Sequence, residues 1–316
     1  APLTLLEISP EHRAAVIEMG ASARREIARL AAIAAPGIAI ITNAGPAHLG
    51  GFGGTLRDVA EAKGELFAGL PAGSVAVINR DDPFYGYWRG LRDDITYRSF
   101  GLSAEADYRA VDVQALGVQG LRFRMLTPSG EIPVNLPMAG GHNVRNGLAA
   151  AAASLAAGAS LEAVRDALGQ MLNVAGRLRA EPGPDGSTIF DDSYNANPGS
   201  VAAAIHFLAG LGGQRWLVLG GMAELGPDQA ALHREIGVLA AKSGIDRFYC
   251  VGELTRPAAE GFGAAAHWYA DVGELADVLR PQMTADVHLL VKGSRSAGLE
   301  RLVRSVTGRT EEAGAH

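Results

Sequence analysis

The 316-residue sequence has a single cysteine, so no disulfide can form within the chain. That residue, Cys250, lies in the short apolar run 247–252, where a buried strand thiol is expected rather than a reactive one. Chains of this size without disulfides are typical of reducing compartments. We therefore expect a cytoplasmic protein.

Long apolar runs and a strong excess of one charge are also absent. The alanine-rich stretch 149–157 has only nine residues, whereas a membrane-spanning helix needs about 20. The net charge is −6, with acidic and basic residues interspersed, which leaves no basic surface for nucleic acid or anionic lipid. These absences predict a soluble protein, expected as a monomer, with no nucleic-acid partner and no membrane insertion.

Lysine is rare as well. The sequence has 28 basic residues, and only Lys63, Lys242 and Lys292 among them are lysines. Arginine is thus used wherever a general positive charge will serve. A lysine retained in such a sequence is a candidate for chemistry that needs an amine.

What is present is an ordinary globular composition, with 48% hydrophobic and 20% charged residues. The length predicts two domains, which we place at 1–176 and 177–316. In both, short apolar strands alternate with segments of helical period, which indicates an α/β fold built on parallel sheets. The second domain is expected to be doubly wound, with strands near Thr188, Trp216, Phe248, His267 and Leu289.

The first domain has a less uniform pattern. Strands are predicted at 14–19, 37–42, 74–79 and 95–100, and alternating segments with turns at 107–137 indicate an antiparallel excursion at the sheet edge. Between the second and third strands, Thr55 is expected to cap a helix that ends at Gly69. The phase of that helix places Lys63 at the edge of its apolar face.

Three polar residues of the first domain are candidate metal or catalytic residues. Glu18 ends the apolar segment 14–19, where a buried carboxylate needs a cation beside it. His48 follows the next strand in a glycine-rich loop, and Lys63 lies on the helix capped by Thr55. Each has an ordinary alternative, namely a solvated glutamate at a strand end, a loop histidine and a surface lysine.

Further polar motifs follow strands or open helices along the rest of the chain. Asn143 and Asn146 lie three residues apart at a predicted helix start, where amides can read a purine edge and free N–H groups favour phosphate. The segment Asp191–Pro198 places two carboxylates, a phenol and two amides before a helix that begins with proline. Residues 292–295 gather two cations and a hydroxyl. The alternatives are a capping asparagine with a surface one for the first motif, and a structural turn for the second.

In their order along the chain, these motifs resemble the Mur ligase family, the ATP-dependent amide-forming enzymes of peptidoglycan precursor synthesis. The Asp191–Pro198 segment resembles the branch of the family that adds D-alanyl-D-alanine to UDP-N-acetylmuramoyl-tripeptide. The matching motifs are Val16-Ile-Glu-Met-Gly20, Thr42-Asn-Ala-Gly-Pro-Ala-His48, Ala62-Lys-Gly-Glu65, His142-Asn-Val-Arg-Asn146, Gly176-Arg177, Asp191-Asp-Ser-Tyr-Asn-Ala-Asn-Pro198, Gly221-Met-Ala-Glu-Leu-Gly226 with His233, and Lys292-Gly-Ser-Arg295.

The resemblance implies a fold and a role for each candidate. It implies a central ATP-binding domain followed by a Rossmann-like domain. Glu18 and His48 would hold Mg²⁺ at the catalytic centre, where Lys63 would be carbamylated by CO₂ into a further metal partner. The implied ATP contacts are Asn143, Asn146, Arg177 and Asp192. The implied substrate contacts are Tyr194, Asn195, Asn197, Lys292, Ser294 and Arg295.

One family motif is missing. The phosphate-binding loop Gly-x-Gly-Lys-[Thr/Ser], with which the family's central domain begins, occurs nowhere in the sequence. We therefore expect a chain truncated at its start, without the UDP-binding domain, that binds ATP weakly and shows no ligase turnover alone. The alternatives are another ligase of the superfamily, such as a folylpolyglutamate-type enzyme, and a non-catalytic fragment or degenerate homologue.

Overall fold

The computed structural model describes residues 1–45, 49–171 and 174–308. The chain divides into two compact units. The first comprises Ala1–Gln114, Arg122–Leu136 and His142–Gln170, and the second comprises Ala115–Leu121, Pro137–Gly141 and the chain from Met171 onward. The boundary between Gly176 and Arg177 stays a prediction.

The first sheet has six strands in the order β1-β2-β3-β4-β5-β6. They are β1 (Ile38–Ile41), β2 (Val75–Asn79), β3 (Thr96–Gly101), β4 (Tyr108–Ala115), β5 (Leu121–Thr127) and β6 (Gly130–Leu136). The first four pair in parallel, and β5 and β6 form a hairpin through the two-residue turn Pro128-Ser129. The helices before the second sheet are α1 (Pro2–Leu6), α2 (Glu26–Ala34), α3 (Leu49–Phe52), α4 (Leu56–Ala68), α5 (Tyr85–Arg89), α6 (His142–Ala156) and α7 (Leu161–Gly169).

Helix α4 shows how the sequence fixes a local element. Thr55 accepts a hydrogen bond from the Asp58 backbone N–H, and the Asp58 side chain accepts one from the Thr55 N–H. This capping box satisfies backbone donors that the first helical turn leaves open. Behind the cap, Val59, Ala62 and Leu70 of the face predicted from the helical period are buried, so that face packs inward.

The predicted strand at 14–19 is wrong. Residues 14–20 belong to no helix or strand, Glu18 is exposed, and the Val16 side chain is 93% exposed. Apolar composition alone does not make a strand, because the strand must also find a neighbour with free backbone donors and acceptors. In the described residues β1 pairs only with β2, so the sheet contains no strand from this segment.

The second sheet has the order β11-β10-β9-β12-β8-β7, parallel except for the edge pair β7–β8. Its strands are β7 (Arg179–Pro182), β8 (Thr188–Asp192), β9 (Gln214–Gly220), β10 (Arg247–Val251), β11 (Ala266–Tyr269) and β12 (Val287–Lys292). Its helices are α8 (Pro198–Ala209), α9 (Gln229–Lys242), α10 (Arg256–Phe262), α11 (Val272–Leu279) and α12 (Glu300–Thr307).

Successive residues of the second sheet enter two separate apolar cores. Leu217 and Leu219 pack with residues of α8 and α9, whereas Trp216 and Val218 pack with residues of α11 and α12. Side chains alternate between the faces of a strand, so both faces are covered by helices and the unit is doubly wound as predicted.

Cys250 is buried in the first of these cores, and this burial raises the pKa of its thiol. No helix of the described ranges has both the length and the apolar character needed to cross a membrane.

Candidate functional site

The carboxyl ends of three neighbouring strands gather polar motifs in the second unit. Strand β12 lies between β9 and β8, and Lys292 at its end is in register with Leu219 and Asp192. The glycine-rich segment 220–226, the acidic segment 191–197 and the basic segment 292–295 therefore begin at one edge of this sheet. Open parallel sheets place ligands at that edge.

Two consecutive aspartates at the end of β8 connect this edge to the segment before β7. Asp191 is buried and accepts hydrogen bonds from the Gly176 N–H at 3.0 Å and from the Ser193 hydroxyl at 2.6 Å. Asp192 accepts from the Leu178 N–H at 3.2 Å through Oδ1. Since both carboxylates already bind the backbone around Arg177, that arginine is held next to the acidic segment.

A buried ion pair joins Asp192 to the end of β12. The Lys292 Nζ lies 2.7 Å from Asp192 Oδ2 and 2.9 Å from the carbonyl oxygen of Asn195. The side chains of Lys292 and Asp192 are 4% and 17% exposed. Burial raises the pKa of Asp192, and the adjacent ammonium of Lys292 opposes that rise.

Two arginines flank one exposed aromatic ring. The guanidinium carbons of Arg177 and Arg295 lie 4.5 Å and 5.5 Å from the centroid of the Tyr194 ring. Neither guanidinium has a carboxylate partner among the described residues. Ring contacts of this kind hold a cation in place without neutralising it. The cluster can therefore receive an anion.

The remaining predicted substrate residues of this unit have structural partners. Asn197 caps α8, because its side chain accepts from the Ser200 N–H and its own N–H donates to the Ser200 hydroxyl. Asn195 is exposed, and its side-chain oxygen accepts from the Ala196 N–H at 2.8 Å. Ser294 is buried, with its hydroxyl 3.0 Å from that of Ser296. Asn197 thus caps a helix, and its assignment to the substrate stays a prediction.

A buried histidine fixes the glycine-rich segment after β9. His233 Nε2 accepts from the Met222 N–H at 2.9 Å, and its Nδ1 lies 2.7 Å from the carbonyl oxygen of Gln229. The ring is therefore neutral, with its proton on Nδ1, and burial lowers its pKa. The Gln229 amide adds a bond to the Met222 carbonyl at 3.1 Å. Two residues beyond Met222, Glu224 has a left-handed backbone, at φ +60°.

Lys63 occupies a corresponding edge in the first unit. Its side chain is half-buried on α4, and Nζ donates to the carbonyl oxygen of Asn43 at 2.7 Å, just beyond β1. Burial lowers the pKa of this amine, and the nearby charge of Asp82 opposes the shift. A lysine with a lowered pKa is more often neutral, and a neutral amine is the form that reacts.

The other two members of the predicted metal site are not brought together with Lys63 by any contact that the structure describes. Glu18 is exposed and has no hydrogen bond or ion pair with a described residue. His48 lies outside the described residues. Within residues 1–45, 49–171 and 174–308, no three His, Cys, Asp or Glu side chains form a group that could hold a metal ion.

The predicted asparagine pair lies at the start of α6. The Asn146 side chain donates to Asn143 Oδ1 at 3.1 Å, and Asn143 is buried whereas Asn146 is exposed. The spacing of three residues therefore places both on one side of the first turn, as predicted. Asn146 is the more accessible member of the pair.

Four polar residues in the first unit were missed by the sequence analysis. Asn79 donates to the Thr42 carbonyl at 2.8 Å, and Asp82 accepts from the Ala44 N–H at 2.9 Å, so the end of β2 holds the segment after β1. Asp81 accepts from Arg145 at the start of α6. The signal for three of the four was the polar run Asn79–Asp82, which begins at the last residue of the buried strand β2.

Comparison with known proteins identifies the architecture. The Mur ligase middle domain matches residues 1–154, and the Mur ligase glutamate ligase domain matches residues 176–295. The UDP-N-acetylmuramoyl-tripeptide–D-alanyl-D-alanine ligase of Escherichia coli is 39% identical over 308 residues, which is 96% of this chain and 68% of that protein. The chain therefore spans about two thirds of the length of this relative.

Solved structures of Mur ligases also resemble this chain. A crystal structure of MurF from Acinetobacter baumannii superposes with a TM-score of 0.89 at 32% identity, covering 98% of this chain and 68% of that one. MurF ligase from Thermotoga maritima, in complex with ADP, has a TM-score of 0.80 at 26% identity and covers 92% and 66% of the two chains. From its two matched domains and these relatives, the chain belongs to the Mur ligase family.

Proposed function

We propose that this chain supplies the central and carboxyl-terminal domains of an ATP-dependent ligase that joins D-alanyl-D-alanine to UDP-N-acetylmuramoyl-tripeptide. The observation that carries the proposal is the pair Arg177 and Arg295 on the Tyr194 ring, two cations without a carboxylate partner in the described chain. They lie at the sheet edge beside Asp192. A carboxylate that can accept from ribose hydroxyls next to cations that can bind an anion suits a nucleotide.

Amide formation explains why such a site is needed. A carboxylate is a poor electrophile at neutral pH, so the tripeptide carboxylate first takes the terminal phosphoryl group of ATP, and ADP leaves. The dipeptide amine then attacks the acyl phosphate, phosphate departs with the C–O bonding electrons, and the amine loses a proton. Arg177 would bind the transferring phosphoryl group, and Arg295 would bind an anionic group of the substrates.

Residues of the first unit are proposed to bind the adenine and the cation. Asn146 is assigned to the adenine edge and Asn143 to the phosphates, because they open α6 together. Lys63 fits carbamylation, in which the neutral amine attacks CO₂ and releases a proton, because burial lowers its pKa. The carbamate, Glu18 and His48 would then hold Mg²⁺, which neutralises phosphoryl charge.

The proposal is tested by measuring amide formation. The chain alone is expected to bind ATP weakly and to give no product, because the lysine and N–H cradle of the Gly-x-Gly-Lys loop are missing from the sequence. A fusion with the third of the Escherichia coli ligase that the match leaves uncovered should restore ATP-dependent addition of D-alanyl-D-alanine. Robust turnover by the unfused chain would contradict the expectation for the chain alone.

The choice of amine substrate separates the alternatives. D-alanyl-D-alanine should consume ATP, whereas single diamino acids and glutamate should not. Turnover with glutamate would favour a folylpolyglutamate-type ligase. A fusion that folds, binds ATP and accepts no amine would favour a non-catalytic homologue.

A further inference from the structure

Lys292 is the most deeply buried lysine that the structure describes, and it lies at the centre of the second sheet. Only 3% of the residue is exposed, at the end of β12 between β9 and β8. Lysine is almost never buried to this degree unless it is paired. The next residue is also closely packed, because a Cβ on Gly293 would lie 2.9 Å from Leu299 Cδ1 and 3.1 Å from Gly220 Cα.

The ammonium connects three separate segments. It bonds Asp192 Oδ2 at the end of β8 and the Asn195 carbonyl in the following loop. The other oxygen of Asp192 accepts from the Leu178 N–H, in the segment before β7. One compact cation therefore sets both the direction of the Asp192 carboxylate and the path of the loop that carries Tyr194.

The chemistry of the ammonium suits this position. It offers three donors around a point charge, whereas the guanidinium of arginine is a planar fork. This chain uses arginine almost everywhere, so a lysine retained at a buried position has a specific task. Two of the three donors already bind Asp192 and the Asn195 carbonyl, and only 4% of the side chain is exposed, so a ligand has little access to Nζ.

We propose that Lys292 is a positioning residue, which aims the Asp192 carboxylate at the nucleotide and does not contact the amino-acid substrate. The nucleotide part of this inference rests on the proposed function. Asp192 remains 17% exposed, and each carboxylate oxygen can accept more than one hydrogen bond, so its open edge can still accept from ribose hydroxyls.

The test compares Lys292→Met with Lys242→Met, a matched control at the exposed end of α9. Amide hydrogen exchange at Leu178 and Tyr194, and the affinities for ATP with Mg²⁺ and for D-alanyl-D-alanine, are measured on the 316-residue chain. Lys292→Met should speed exchange and weaken ATP binding by about tenfold each, the effect of losing a charge-assisted hydrogen bond. Dipeptide affinity should not change, and the control should match wild type.

The pH dependence gives a second signature. Without the ammonium, burial would leave the pKa of Asp192 higher still, so the loss of ATP affinity should grow as the pH falls. A variant that weakens dipeptide binding but not ATP binding, or that leaves exchange at Leu178 and Tyr194 unchanged, overturns the proposal. Because the chain alone is expected to bind ATP weakly, the same affinities are also measured on the fusion with the Escherichia coli segment. A fusion that binds no ATP contradicts the proposed function, and exchange still decides whether Lys292 positions Asp192.

A further variant covers the case in which Lys292→Met does not fold. Asp192→Asn with Lys292→Met removes both charges, and so does not leave the Asp192 carboxylate buried without its counter-ion. It should regain stability and still show fast exchange at Leu178 and weak ATP binding. Exchange and ATP affinity like those of wild type in this double variant would refute the positioning role.

Discussion

Arg145 donates its Nε to Asp81 Oδ2 across 3.0 Å, which joins the first turn of α6 to the end of β2. The same carboxylate accepts from the Leu102 and Ser103 N–H groups at 2.8 Å and 2.9 Å. Although partial burial acts to raise the pKa of Asp81, these hydrogen bonds lower it overall. Asp81 therefore fixes α6, which carries the asparagine pair, relative to two strand ends.

Replacing this carboxylate should destabilise the first unit. Asp81→Ala leaves two backbone donors and a guanidinium without their acceptor, and we expect a loss of about 1–3 kcal/mol. Urea unfolding followed by circular dichroism measures the change. Asp93→Ala, at an exposed carboxylate without a hydrogen bond to a described residue, is the control. Equal stability of both variants would show that the Asp81 contacts contribute nothing.

Lys63 should react with CO₂ at lower pH than an ordinary lysine. Because burial lowers the pKa of Lys63, its neutral fraction at a given pH exceeds that of an exposed amine. Carbon NMR with isotope-labelled bicarbonate should detect a carbamate near neutral pH that disappears in Lys63→Arg. Lys242→Arg should retain the signal, since Lys242 is exposed at the end of α9. A carbamate signal that persists in Lys63→Arg would assign the modification to another amine.

Stability should depend on pH through His233. Burial lowers the pKa of this imidazole in the folded chain, whereas in the unfolded chain it stays near 6.5. The unfolded chain therefore binds the proton first, and the stabilisation present above about pH 6.5 is lost as the pH falls toward the folded pKa. His233→Gln should flatten this part of the curve of unfolding free energy against pH. His206→Gln, at an exposed position in the last turn of α8, is the control.

Gly176 should not tolerate a side chain. Its φ is +74°, and a Cβ there would lie 3.0 Å from Tyr194 Cβ and 3.1 Å from the Tyr194 nitrogen. Gly176→Ala should cost about 1–3 kcal/mol and disturb the ring between the two arginines. Gly252→Ala, at φ +84° with open space around it, separates the backbone strain from the contact. If the two substitutions cost the same in thermal unfolding, the contact with Tyr194 adds nothing.

Local sequence patterns were sufficient to predict most helices and strands. Helix α4 was predictable because Thr55 and Asp58 form a cap that needs no tertiary contact. The prediction of a strand at 14–19 was wrong, because strand formation depends on a neighbouring strand that a local pattern does not reveal. Glu18 was assigned on the strength of that strand, so its place in the site stays a prediction.

Side-chain roles were harder to predict than elements. The sequence analysis assigned Asn197 to the substrate and did not predict that it caps α8 through Ser200; its substrate contact stays a prediction. Asp81 acts through Arg145, which lies 64 residues away in sequence, and no local pattern predicts that pairing. Lys292 stood out from the scarcity of lysine, but its partner Asp192 became visible only through the register of β8 and β12.

The cap of α4 also determines which way Lys63 faces. Each residue of an α-helix turns the chain by about 100°. Deleting one residue between Asp58 and Lys63 would therefore keep the cap and the amine while swinging Nζ away from the Asn43 carbonyl. The spacing of eight residues from Thr55 to Lys63 thus determines the direction in which the Lys63 side chain points. A comparison of residue identities alone would overlook this dependence.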